Sequence, residues 1–110
     1  MLKKFKAQDK EFTHVVYPHL DTVLMNKAYQ YSNQNNESIN KFIKSAMASI
    51  YEDKFIYTYE IVRENPRSKV YIKLNDNHFK AFLSFEFRQR SRILEEIIGT
   101  YINKLEKIGK

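Results

Sequence analysis

In the stretch KVYIKLN, Lys69, Tyr71 and Lys73 alternate with Val70, Ile72 and Leu74. A strand built from it turns two ammonium groups and a phenol to one side and three aliphatic groups to the other. The chemistry of that polar side is recognition: lysines donate hydrogen bonds to anions and to base acceptors. The surrounding charge agrees. From Arg63 to Arg92 the cations are Arg63, Arg67, Lys69, Lys73, Lys80, Arg88, Arg90 and Arg92, against only Glu64, Asp76 and Glu86. A second basic segment, with Lys3, Lys4, Lys6 and Lys10 beside Asp9, opens the chain, and the whole carries a net charge of +6. A polyanionic partner is the natural reading of this distribution; the alternative is a basic surface that serves solubility alone. Catalysis and metal binding find no footing. His14, His19 and His78 lack companion ligands at metal spacing, Glu95 and Glu96 face different directions on a helix, and no serine is set beside a base. We therefore expect no enzyme, no metal and no cofactor.

A chain of 110 residues supports one domain with one modest core. It has no cysteine, which excludes disulfides and thiolate chemistry and fits a reducing, cytoplasmic setting. No stretch is long and apolar enough to cross a bilayer, so no membrane partner is expected.

Four helices, an arm and a connector surround the strand. Residues 1–12 read as a basic arm. Leu24, Met25, Ala28 and Tyr31 mark one helical face starting at Asp21 and ending in SNQNNES, where any Asn can take the left-handed conformation. Asn40 is placed as N-cap of a second helix with Phe42, Ile43, Ala46, Met47, Ile50 and Tyr51 on its buried side. Residues 52–68 form a connector that either continues the second helix toward Glu64 or holds a short strand of β-branched and aromatic residues; Pro66 bars any helix from passing Asn65. After the strand, Asp76 is placed as cap of a helix carrying Phe79, Phe82, Leu83 and either Phe85 or Phe87. Ser91, after the cationic turn RQR, caps a last helix with Ile93, Leu94, Ile97, Ile98, Tyr101, Ile102 and Leu105 on its apolar face.

The order strand, helix, turn, helix occurs twice. VVYPHLD, residues 15–21, aligns with KVYIKLN, residues 69–75: Val16, Pro18 and Leu20 fall on Val70, Ile72 and Leu74, and Val15, Tyr17 and His19 on Lys69, Tyr71 and Lys73, an offset of 54 residues. NKFIKSAMASIY from Asn40 aligns with SRILEEIIGTYI from Ser91, an offset of 51. The two copies span residues 13–51 and 69–110. Each alone, about 40 residues, is too small to enclose its apolar faces.

On these stretches, above all VYIKLN and ESINKFIKSAM, the chain resembles the ribbon-helix-helix family of DNA-binding proteins, which includes the Arc and methionine repressors. The family often has Gly between its helices; here the first copy offers Asn and the second FRQRS. The resemblance implies a mainly α fold with a two-stranded antiparallel β-ribbon, here a tandem pair forming an intramolecular pseudo-dimer. Pro18 then requires its missing N–H to face away from the pairing strand. The implied function is sequence-specific binding of double-stranded DNA, as a transcriptional regulator or repressor. The alternative is an accessory protein of a plasmid-transfer relaxosome or partition complex. Base contacts would come from Lys69, Tyr71, Lys73, Val15, Tyr17 and His19 in the major groove. Phosphate contacts would come from Asn40, Lys41, Arg88, Arg90, Ser91 and Arg92 at the starts of the second helices. The scheme allows self-association on DNA. Because the two strands differ in charge, the target need not be palindromic, and Lys69 and Lys73 should matter more than Val15 and His19.

Overall fold

The structure, a computed structural model, describes residues 10–108; the arm's Lys3, Lys4 and Lys6 lie outside that range. The chain is mainly helical with a small antiparallel ribbon-like sheet. Strands β1 (His14–Val16) and β2 (His19–Asp21) precede helix α1 (Thr22–Gln34) and helix α2 (Ile39–Ala46), which runs on into a π-helical segment, Met47–Glu52. After the connector come β3 (Arg67–Lys69), β4 (Ile72–Leu74), α3 (Asp76–Ser84), a 3-10 turn at Phe87–Gln89 and α4 (Arg90–Ile108).

β1 pairs with β4 and β2 with β3, both antiparallel, in one continuous register: His14 faces Leu74, Val16 faces Ile72, His19 faces Lys69 and Asp21 faces Arg67. Tyr17 and Tyr71 therefore stand opposite each other at the centre. The expectation for Pro18 is overturned. Val70 N–H donates to the Pro18 carbonyl at 2.9 Å, the mark of a hydrogen-bonded pair, and Pro18 has no N–H to return. The ladder is interrupted there, which is why two short pairings flank the tyrosines. The second strand also starts earlier than Lys69, since Arg67 and Ser68 already pair.

In a hydrogen-bonded ladder the residues between these pairs aim their N–H groups away from the partner strand. Helices occupy both edges. Lys73 N–H donates to Asn40 Oδ1 of α2 at 3.0 Å, and on the opposite edge His19 N–H donates to Ser91 Oγ and Asp21 N–H to Glu95 Oε1, both of α4, at 3.2 and 2.6 Å. Helix side chains thus cover part of each edge, which leaves less of it for pairing with other chains.

The inner face of the ribbon is core. Val16, Leu20, Ile72 and Leu74 are buried, and Val70 packs against them half-buried. They meet Leu24, Met25 and Ala28 of α1, Phe42, Ile43 and Ala46 of α2, and Leu94, Ile97, Ile98 and Ile102 of α4. Fully burying one such aliphatic side chain is worth roughly 1.5–3 kcal/mol, so this shared core dominates over surface ion pairs of about 0–1 kcal/mol.

Several helix ends differ from expectation. Asp21 does cap α1, its Oδ1 accepting from Leu24 N–H at 3.0 Å, and Asn36 takes the left-handed turn with φ 54°. The cap of α2 is Ser38, accepting from Lys41 N–H, and not Asn40, whose amide serves the strand edge instead. Asn75, not Asp76, caps α3 by accepting from His78 N–H at 2.7 Å. α4 starts at Arg90 from the 3-10 turn, so Ser91 lies inside its first turn and binds the strand. Of the apolar residues assigned to α3 and its turn, Phe82 and Phe85 are buried, whereas Leu83 and Phe87 are exposed. Before β1, Phe12 is buried and Glu11 pairs with Lys44 at 2.8 Å, so the chain is anchored two residues ahead of the strand.

Candidate nucleic-acid interface

The outer face of the ribbon brings the six expected base-contacting residues together. Facing pairs share a side of the sheet, so Val15 with Lys73, Tyr17 with Tyr71 and His19 with Lys69 form one ridge. Tyr17 and Tyr71 are each more than half exposed, with rings edge-to-face at a centroid distance of 5.5 Å. Lys69 Nζ lies 5.6 Å from the Tyr17 ring centroid and Lys73 Nζ 6.0 Å from that of Tyr71. Such cation–π contacts, about 0.5–1 kcal/mol at exposed sites, orient the ammonium groups without neutralising them. Among the described residues no carboxylate pairs with either lysine. The ridge thus presents two lysines, two phenols and an imidazole, all able to donate hydrogen bonds, on a support whose reverse side is core.

The six residues expected at phosphates are distributed unevenly. Lys41 is exposed at the start of α2, and Asn40 and Ser91 are half-buried with their side-chain oxygens engaged by strand N–H groups. Arg88 is exposed on the 3-10 turn, and Arg92 is exposed with its Nε 3.2 Å from Glu96 Oε1. Arg90 turns inward: Nη2 donates to the Leu83 carbonyl at 3.0 Å and the guanidinium lies over the Phe82 and Phe87 rings. It closes the end of α3.

Beside the His19–Lys69 end of the ridge lies an open cleft of about 440 Å³, lined by His19, Ile61, Arg63, Arg67, Arg88, Ser91, Arg92 and Glu95. Its floor is a polar cluster missed at the sequence level. Glu95 is 3% exposed and accepts from Arg67 Nη2 at 2.9 Å and Nε at 3.3 Å. Arg67 Nη1 also donates to the carbonyls of Val62, Arg63 and Asn65 at 3.0, 3.3 and 2.8 Å. Buried Asp21 accepts from Asn65 Nδ2 at 2.9 Å and from the Tyr59 hydroxyl at 3.4 Å. Burial alone would raise the Asp21 carboxyl, but the Asn65 amide, the Leu24 and Val23 N–H groups and the Arg67 charge outweigh it and hold it below its ordinary 3.8. The Tyr59 hydroxyl is pushed up to about 12 by burial and by the nearby Asp21 and Glu95 carboxylates. One signal could have pointed to this cluster: Glu95 stands between Leu94 and the Ile97–Ile98 pair on a helix whose neighbours are core.

The histidines are not alike. His14 is half-buried, stacks on Phe79 at 4.2 Å and lies 3.2 Å from Asp76. His78 is buried and bonds Glu52 through Nε2. Among the described residues no three His, Asp or Glu side chains gather as a metal site, and no helix is long and apolar enough to cross a membrane.

Compared with known proteins, the chain matches no family model, no curated relative and no solved structure.

Proposed function

We propose that the chain is a tandem ribbon-helix-helix protein, its two copies folded on each other as a pseudo-dimer, that binds double-stranded DNA sequence-specifically by laying the outer face of its ribbon in the major groove. The observation that carries this reading is a pair of matched hydrogen bonds. Asn40 of the first copy accepts from the strand N–H of Lys73 in the second, and Ser91 of the second accepts from the strand N–H of His19 in the first. Asn40 and Ser91 are equivalent at the helix offset of 51 residues, and His19 and Lys73 at the strand offset of 54. Two more equivalences agree. Asp21 and Asn75, 54 residues apart, both cap the helix after their strand, and the pairing register sets Tyr17 opposite its own counterpart, Tyr71.

A narrow two-stranded ridge of this kind suits the major groove, where lysine donors meet guanine acceptors and Val15 can touch a thymine methyl. The role we assign is transcriptional regulation, a repressor occluding a promoter. Selection from a random-sequence duplex pool with the intact protein should enrich a defined site. Binding to it should fall about tenfold or more in Lys69→Ala/Lys73→Ala, and by less in Val15→Ala/His19→Ala. Equal losses on the two strands would contradict the assignment of base reading to the lysine strand, and recovery of no enriched duplex would remove the DNA reading altogether. Footprinting on the DNA adjoining the coding region separates roles: protection of a promoter supports regulation, whereas protection beside a nick or origin assigns the protein to a relaxosome or partition complex.

A further inference from the structure

The two ends of the ribbon are unequal, and the inequality is built from charge. At the α4 end, Arg88 stands where the repeat places Glu37 at the α2 end, and Arg92 where it places Lys41. Arg63 joins Arg88 and Arg92 in the open cleft from a third element, the connector. Its position is fixed from below, because Arg67 bonds the carbonyls of Val62, Arg63 and Asn65 while anchored to buried Glu95. Arg67 is therefore neutralised, but among the described residues no carboxylate pairs with Arg63 or Arg88. At the other end Lys44 is paired with Glu11 at 2.8 Å and His14 with Asp76 at 3.2 Å, which leaves Lys41 as the exposed cation of that helix start, while at the α4 end Arg92 is shared with Glu96 at 3.2 Å.

Resting on the DNA-binding reading above, we propose that the cleft of Arg63, Arg88 and Arg92 seats a phosphodiester of the duplex strand flanking the His19–Lys69 end of the ribbon, with no matching seat at the His14–Leu74 end. The protein then lies on its site in one orientation only. Guanidinium groups suit the tetrahedral phosphate oxyanion because their donors match its oxygens in pairs. That chemistry is shared by a free phosphate or nucleotide; the open, solvent-facing cleft beside the ridge favours the DNA backbone. The connector, otherwise a linker between two copies, becomes part of the interface.

The test uses the full chain and the duplex it enriches from a random pool. Arg63→Ala/Arg88→Ala should weaken binding about tenfold while keeping the same preferred sequence. The dependence of log affinity on log salt should flatten by roughly 1–2, since each phosphate contact contributes a slope of about −0.9. Trimming the duplex from one side should weaken wild type far more than trimming from the other, and the double variant should lose that distinction. Both arginines are exposed and unpaired, so a matched melting curve will certify the fold. Unchanged affinity and salt slope in the variant, or equal effects of trimming either side, would overturn the seat while leaving ribbon binding intact. Titration with inorganic phosphate and adenosine monophosphate covers the other source: saturable shifts of the Ser91 and Arg92 amides, without any effect of the double variant on DNA, would assign the cleft to a free anion. If wild type enriches no duplex, both readings fall together.

Discussion

Arg67 and Arg63 stand four residues apart in one basic segment, yet only Arg67 is consumed inside the fold. Its guanidinium is tied to a carboxylate, Glu95, that is almost wholly buried, and to three connector carbonyls. A buried ion pair adds little net stability, but breaking one leaves an uncompensated charge in a poor medium. Arg67→Met should therefore destabilise the protein by about 3–5 kcal/mol in urea unfolding. Arg67→Met with Glu95→Leu should recover part of that loss, since neither charge then remains buried. Recovery will be incomplete because Asp21 N–H loses its acceptor. A loss below about 1 kcal/mol in the single variant would reduce the pair to an ordinary surface contact. Nothing local distinguishes these two arginines; the difference is the helix that arrives from residue 95.

The connector owes its order to α4 and not to any regular structure of its own. Thr100 Oγ1, fully buried, accepts from Thr58 N–H at 3.1 Å and from Tyr59 N–H at 3.3 Å. The Tyr59 ring rests on Gly99, in the space a side chain at that position would fill. This explains a glycine in the middle of a helix, where it costs about 1 kcal/mol against alanine. Two effects oppose each other in Gly99→Ala: a gain of that size in helix propensity, and overpacking against the ring at roughly 1–3 kcal/mol. We expect the clash to win, with a lowered melting temperature and faster hydrogen exchange at the Thr58 and Tyr59 amides. A variant at least as stable as the parent, with those amides still protected, would show that the ring shifts freely. The same dependence on a neighbour explains the caps. Asn40 and Ser91 are good N-cap residues by type, but strand N–H groups claim their oxygens, and Ser38 and the 3-10 turn start the helices instead.

For the molecule as a whole, the polar cluster under the cleft sets a pH window. The Asp21 carboxyl is held below its ordinary 3.8 when folded, so its contribution to stability is present above that value and is lost as pH falls through the lower folded one. The Tyr59 hydroxyl, pushed up to about 12, keeps its proton in the folded state after the unfolded chain has released it near 10. Its contribution is complete below 10 and lost as pH rises toward 12. Urea unfolding should show a broad plateau between these limits, with losses on both sides. Tyr59→Phe should remove part of the alkaline loss, the hydroxyls of Tyr31, Tyr57 and Tyr101 that burial also raises supplying the rest, and leave the acid one. A wild-type profile unchanged from pH 9 to 11.5 would contradict the placement of Tyr59 against Asp21.

The amino-acid sequence by itself determined the alternation of the strands, the apolar face of each helix, the concentration of cations between Arg63 and Arg92, and the order of elements that repeats. Each of these is local, since side-chain direction within a strand or helix follows from backbone periodicity alone. Only the tertiary structure decided the register of the two strands, the break in their ladder at Pro18, and what meets their outer edges. It decided also which cations stay free to meet a partner. Those outcomes depend on groups brought together from 28 to 74 residues apart, where a single buried carboxylate or a neighbour's N–H redirects a side chain whose type promised something else.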